Sequence, residues 1–70
     1  MPEKVVFVVE DPKATGRIAA QRFVEAVSDS EKPREIVWRI DGNFHFVGGY
    51  KTYGILPTPS GWKIVERGAA

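Results

Sequence analysis

Seventy residues with ten Lys/Arg against nine Asp/Glu, a formal net charge of +1, make one small domain of nearly balanced charge. Zero Cys excludes disulfides, and zero Cys with a single His excludes a conventional structural zinc site, which needs about four N or S ligands. The balance also argues against strong non-specific nucleic-acid binding, a term that comes from many phosphate contacts.

The chain opens with KVVFVVE, Lys4 to Glu10, a short β-branched and aromatic run that predicts a strand apolar on both faces. Asp11 then stands at a helix N-cap position with Pro12 at the first helical position, where its missing N–H costs nothing. This predicts a helix from Pro12 to about Val27. Thr15 is the alternative cap, because Gly16 weakens a helix that starts earlier. Placed 100° apart, Ala19, Ala20, Phe23, Val24 and Val27 form one apolar stripe, with Gln21 and Glu25 opposite and Ile18 outside it. SDSEKPRE, Ser28 to Glu35, reads as a connecting loop.

IVWRI, Ile36 to Ile40, alternates as a strand, and DGN is a hairpin turn leading to the return strand FHFV. Gly48-Gly49 then forms a second turn rather than a bulge within one long strand. YKTYGIL is the next strand, PTPSG a rigid turn and WKIVERG the last strand, with residues 67–70 expected to fray. The predicted fold class is therefore α+β: a single helix packed on one face of a mostly antiparallel four- to five-stranded sheet, in the order β-α-β-β-β-β.

Side chains alternate between the two faces of a strand. One set contains Val5, Phe7, Val9, Ile36, Trp38, Ile40, Phe44, Phe46, Tyr50, Leu56, Trp62 and Ile64. It holds most of the large rings and matches the helix stripe, so it is the expected core. The other set contains Val6, Val8, Val37, Arg39, His45, Val47, Lys51, Tyr53, Ile55, Lys63, Val65 and Arg67. No second helix is predicted to cover this face, and contiguous exposed apolar surface usually marks an interaction site. A different parity across Gly48-Gly49 would exchange Lys51, Tyr53 and Ile55 with Tyr50 and Thr52.

Several chemical motifs fall short. Phe7, Phe44 and Phe46 resemble the ring pattern of the RNA-recognition motif. Yet no adjacent basic–glycine pair precedes Phe44, Gly49 replaces the next ring, and no second helix precedes the last strand, so no family follows. DPKATGR lacks the glycine spacing of a phosphate-binding loop. Glu10 and Asp11 are a strand end and a cap rather than an acid pair. His45 has no Ser, Cys or Thr positioned beside it with an orienting group, as nucleophilic catalysis requires.

No catalytic residue, metal site, cofactor or small-molecule ligand is therefore expected. The sequence reads as a small non-enzymatic interaction module, self-associating or docking on a partner protein through Val6, Val8, Val37, Arg39, His45, Val47, Tyr53 and Val65. A homo-oligomer is also the stabilising supplement that remains once disulfides and zinc are excluded. The alternative is a small nucleic-acid binder with Arg39, Lys51, Tyr53, Lys63 and Arg67 as contacts. The longest apolar run, Val5 to Val9, is far short of the roughly 20 residues that span a bilayer. MPEK lacks the positive region that begins a secretory signal. No membrane association and a cytoplasmic location are the resulting expectations.

Overall fold

The computed structural model describes residues 3–69, which form five strands and one helix: β1 (Lys4–Val9), α1 (Gly16–Val27), β2 (Ile36–Trp38), β3 (Phe44–Phe46), β4 (Lys51–Thr58) and β5 (Gly61–Ala69). The strands make one antiparallel sheet in the order β1-β5-β4-β3-β2. β2 to β5 is a meander of successive neighbours, and β1 closes the order by pairing with β5. The two strands that flank the helix in sequence therefore lie at opposite edges of the sheet. Four interstrand spacings of about 4.8 Å separate those edges, about 19 Å in all. The 12 residues of α1 rise about 18 Å at 1.5 Å each. The helix and the connections on either side of it together return the chain from one edge of the sheet to the other.

α1 begins later than the Asp11-Pro12 pair predicts. Thr15 is the cap: its Oγ1 accepts from the Ile18 N–H at 3.2 Å, and its backbone is extended. Asp11 and Pro12 instead make a turn, in which the Ala14 N–H donates to the Asp11 carbonyl at 3.1 Å and the Lys13 N–H to the Asp11 carboxylate at 3.0 Å. Proline suits the second position of such a turn as well as it suits a helix start. A helix begun there would carry Gly16 in its interior, and the turn avoids that cost. Gly16 opens the helix beside Trp62 and Ile55, with room there for a Cβ at ordinary contact distance. At the other end, Ser28 and Asp29 organise the loop to β2. Ser28 Oγ accepts from the Arg34 N–H at 3.1 Å, and the Asp29 carboxylate accepts from the Glu31 and Lys32 N–H groups at 2.9 and 2.6 Å.

The helix stripe buries Ala19, Ala20, Phe23 and Val24, while Val27 and Ile18 stay largely exposed. Against the stripe lie Val9, Phe44, Phe46 and Ile64, with Val6, Phe7, Ile36, Trp38, Tyr53, Ile55 and Trp62 packed around them. The Phe23 ring is the hub. Its centroid lies 5.3 to 6.2 Å from those of Tyr53, Phe7, Phe46 and Phe44, the range in which tilted aromatic pairs attract. Trp62 adds a polar tie, its Nε1–H donating to the Ala14 carbonyl at 2.7 Å across 48 positions of sequence.

Four members of the expected core are outside it, among them Leu56, which is partly buried on the other side of the sheet. Val5 is about half exposed, and Ile40 and Tyr50 are exposed. Ile40 lies not in a strand but in the turn that ends β2, where the Gly42 N–H donates to the Arg39 carbonyl at 3.1 Å. Tyr50 sits in the connection before β4. That connection is a turn, as expected, closed by the Gly49 N–H on the Phe46 carbonyl at 2.9 Å with Gly48 at φ 79°. The last strand runs through the segment expected to fray, Gly68 and Ala69 pairing with Thr52 and Lys51; Ala70 lies outside the described residues. Pro57 is tolerated within β4 because β3 reaches only as far as Tyr53, leaving that end of β4 with β5 as its sole neighbour.

Two substitutions test this packing. Phe23→Ala removes the hub ring, and a loss of about 3–5 kcal/mol is expected, enough to leave the domain largely unfolded in urea titrations followed by circular dichroism. Gly61 has φ 154°, and a Cβ there would collide with the Val9 carbonyl and come within 2.8 Å of the Asp11 nitrogen. Gly61→Ala should cost about 2 kcal/mol or more in the same titration, by forcing the β4–β5 turn away from the end of β1.

Candidate interaction face

Which residues occupy the side of the sheet away from α1 follows from the pairing. Directly paired residues share a face, and Ile64 and Trp62 are on the helix side, so their partners Phe7, Val9, Ile55 and Pro57 are too. Lys63 and Val65 then lie on the open face with Val8, Val5, Leu56 and Gly54. Farther along, Tyr53 pairs with the buried Phe44, so Thr52, His45 and Val37 belong to the open face.

Two irregularities displace residues from the side that unbroken alternation predicts. In β1 the register shifts between Val5 and Phe7, so Val6 is an extra residue on that strand. Val6 packs with the core, and Val5 is turned out onto the open face in its place. The turn at Val47-Gly48 sets the parity of β4 so that Tyr53, Ile55 and Lys51 lie on the helix side and Thr52 and Gly54 on the other. Val6 and Tyr53 are thus corrected from the open face to the helix side, Tyr53 stacking on Phe44 at 5.6 Å with 22° between the rings.

The remaining residues of the expected face sit as follows. Val8 and Val37 are on it and about half exposed, 51% and 42%. Val47 is exposed in the turn after β3, its N–H donating to the Glu35 carbonyl at 2.9 Å. His45 is half-buried, its Nδ1 donating to the Phe46 carbonyl at 3.1 Å. Arg39 has left the sheet for the hairpin turn and lies 3.7 Å from the Asp41 carboxylate. Val65 is on the face but only 1% exposed. Close by is Arg67, the unpaired extra residue where the β4–β5 register shifts. Its guanidinium lies over Gly54, where any Cβ would collide with it, and it holds Glu3 at 3.2 Å. A bridging ion pair therefore lies across the middle of the open face.

The face is consequently divided. Its centre is polar, with Thr52 buried and the Arg67 guanidinium lying over Gly54. Its flanks are aliphatic: Val5 and Val8 beside the β1 edge, with Leu56 half-buried nearby, and Val37 and Val47 toward the β2 edge. Val5 and Leu56 are the members that alternation alone does not find, while Thr52 follows from the alternative parity across Gly48-Gly49. A glycine paired with Val65 and an arginine two residues on were the available signals.

The five candidate nucleic-acid contacts do not converge. Lys51 and Tyr53 are on the helix side, Lys63 and Arg67 on the open face, and Arg39 in a turn. Lys51 holds Glu66 at 2.8 Å, and Lys63 alone of the four cations takes part in no ion pair among the described residues. On the helix side, Arg34 covers the Phe46 ring at 3.9 Å beside an open cleft of about 300 Å³ lined also by Tyr50, Lys51 and Tyr53. Among the described residues no three His, Asp or Glu side chains are grouped to hold a metal ion, and no helix is long and apolar enough to cross a membrane.

The Lys51–Glu66 pair gives a pH test. The hydrogen bond from Lys51 is the main cause that holds the Glu66 carboxyl below its ordinary range, and the same bond raises Lys51. A depressed carboxyl contributes stability above its unfolded pKa and loses it as pH falls through the folded value; a raised lysine loses its contribution as pH rises through its own. Glu66→Gln should therefore lower the urea midpoint slightly at neutral pH and make it less sensitive to acid, with wild type and variant converging at the acid end. The sequence matches no family model and no curated protein, and the chain matches no solved structure.

Proposed function

We propose that this protein is a small non-enzymatic interaction module that self-associates through the side of its sheet that α1 leaves uncovered, with docking on a partner protein as the other form of the same activity. The observation that carries this reading is the set of outward valines, Val5, Val8, Val37 and Val47, on and beside a face with no second layer among the described residues. Burying one such side chain fully is worth about 1.5–3 kcal/mol, and a 70-residue domain without disulfides gains proportionately much from it. The reading places the protein in the cytoplasm, in keeping with its lack of Cys. Nucleic-acid binding has less support, because its candidate cations are split between two faces and mostly engaged by carboxylates.

Light scattering across a range of concentrations and salt tests the proposal. Association is expected that holds or strengthens with salt, as apolar burial does, whereas phosphate contacts fade. Replacing Val8 and Val37 together by Lys should abolish it while leaving the circular dichroism unchanged. A strict monomer in which these substitutions alter neither size nor solubility rejects the reading.

A further inference from the structure

The cleft beside Arg34 gathers donors and rings from separate segments of the chain. Arg34 comes from the loop before β2, Phe46 from β3, and Tyr50, Lys51 and Tyr53 from the turn and strand that follow. The loop is pinned on either side of the arginine side chain. The Arg34 N–H donates to Ser28 Oγ at 3.1 Å, and the Glu35 carbonyl accepts from the Val47 N–H at 2.9 Å. The guanidinium lies over the Phe46 ring, 3.9 Å from its centroid. Gly48 and Gly49 line the cleft without side chains, and a Cβ at Gly49 would crowd the Phe46 carbonyl at 3.2 Å.

The charges suit an anion. No Asp or Glu lines the cleft, and Arg34 takes part in no ion pair among the described residues. Lys51 meets Glu66 at 2.8 Å, but an ammonium carries three protons and that contact uses one. Both tyrosine oxygens lie near enough to Lys51 to contribute to raising it, and both hydroxyls can donate. Charge alone does not make a site here, because exposed ion pairs contribute little. The remainder comes from Tyr50, whose ring is 70% exposed. A flat group attached to the anion would cover that ring, and a tyrosine face and a guanidinium plane both stack on planar groups. Size sets the other limit. The cleft of about 300 Å³ lies at the low end of the range for ligand pockets, about 300–1,000 Å³, which is room for a small molecule rather than a folded segment.

We propose that this cleft binds a small planar organic anion, a flat ring bearing a carboxylate or a phosphate group. The anionic group is held by Arg34 and Lys51, and the ring lies against Tyr50. The expectation of no small-molecule ligand rested on residues close together in sequence, whereas Arg34 joins Phe46 and Tyr50 only once β2 has paired with β3. The cleft is on the helix side of the sheet, so it is independent of association through the open face.

The test titrates the isotope-labelled full chain at constant ionic strength and follows its amide chemical shifts. The probes are benzoate and adenosine monophosphate, with benzyl alcohol and adenosine as their neutral counterparts and inorganic phosphate as an anion without a ring. At least one ringed anion should give saturable shifts centred on Arg34 and on Phe46 to Tyr53 below about 10 mM. Saturation by benzoate alone identifies a carboxylate site, and by the nucleotide alone a phosphate site. Removing the charge from the ligand, or Arg34→Gln in the protein, should weaken binding at least about fivefold, as loss of a charge-assisted hydrogen bond does. Tyr50→Ala should weaken it at least about threefold through the lost ring. Lys63→Gln, on the other face, should change nothing. Circular dichroism checks that each variant is folded, and the exposed Tyr50 reads the site independently of any change in packing that Arg34→Gln causes over Phe46. Inorganic phosphate binding as tightly as the ringed anions overturns the planar ligand. Binding unaltered by both Arg34→Gln and Tyr50→Ala overturns the site. Shifts that fail to saturate with either ringed anion overturn the proposal as a whole, leaving self-association untouched.

Discussion

Phe23 is the residue on which the rest of the structure depends. From one position on α1 its ring reaches Phe7 on β1, Phe44 and Phe46 on β3, and Tyr53 on β4, so a single side chain couples strands drawn from both ends of the sheet. Its flanking alanines, Ala19 and Ala20, are fully buried and let the backbone sit close to the strands. The same economy has a consequence: one helix covers one side. Everything apolar that the chain does not direct toward Phe23 has to be dealt with elsewhere.

The chain deals with it in two ways. At the centre of the open face, the Arg67 guanidinium lies over Gly54, beside Val65 on the neighbouring strand, and remains paired with Glu3. At the flanks no such group is present, and Val5, Val8, Val37 and Val47 stay exposed. Ion pairs elsewhere follow the same logic of local neutralisation. Arg22 meets Asp11, Arg39 approaches Asp41 and Lys51 meets Glu66. These pairs are exposed and contribute little stability individually. Their effect is to leave few cations gathered on one surface, which is why valines rather than charges distinguish this protein's exterior.

Much of the fold was legible in the sequence because it rests on short-range patterns. The stripe of Ala19, Ala20, Phe23 and Val24 follows from helical spacing, and Phe44 and Phe46 fall on the core side by simple alternation. The hairpin at Asp41-Gly42-Asn43 follows from the left-handed backbone that Gly42 supplies at φ 88°. The candidate face was less legible. Val8, Val37, His45 and Val65 lie on the side that alternation gives, Val6 is on the helix side instead, Val5 and Leu56 are on the open face instead of in the core, and Tyr53 and Thr52 stand where the alternative parity across Gly48-Gly49 puts them. Alternation carries parity only along an uninterrupted strand. One extra residue at Val6 reverses the sides for everything before it in β1, and the turn at Val47-Gly48 resets the sides for all of β4. The bulge leaves no mark in composition, and Gly48-Gly49 marks a turn without fixing the parity of the strand that follows it.

By itself, then, the sequence determined the α+β class, the order of its six elements and the aromatic character of its core, all properties of residues close together along the chain. The start of α1, the two strand irregularities, the placement of Arg67 over Gly54 and the strand left at the edge were decided only by tertiary structure. Each depends on what a residue meets from a distant segment: Gly16 against Trp62, Gly61 against Val9, Gly54 beneath Arg67. Local propensity does not contain those encounters, because the free energy that selects them comes from packing and pairing that exist only once the sheet has closed.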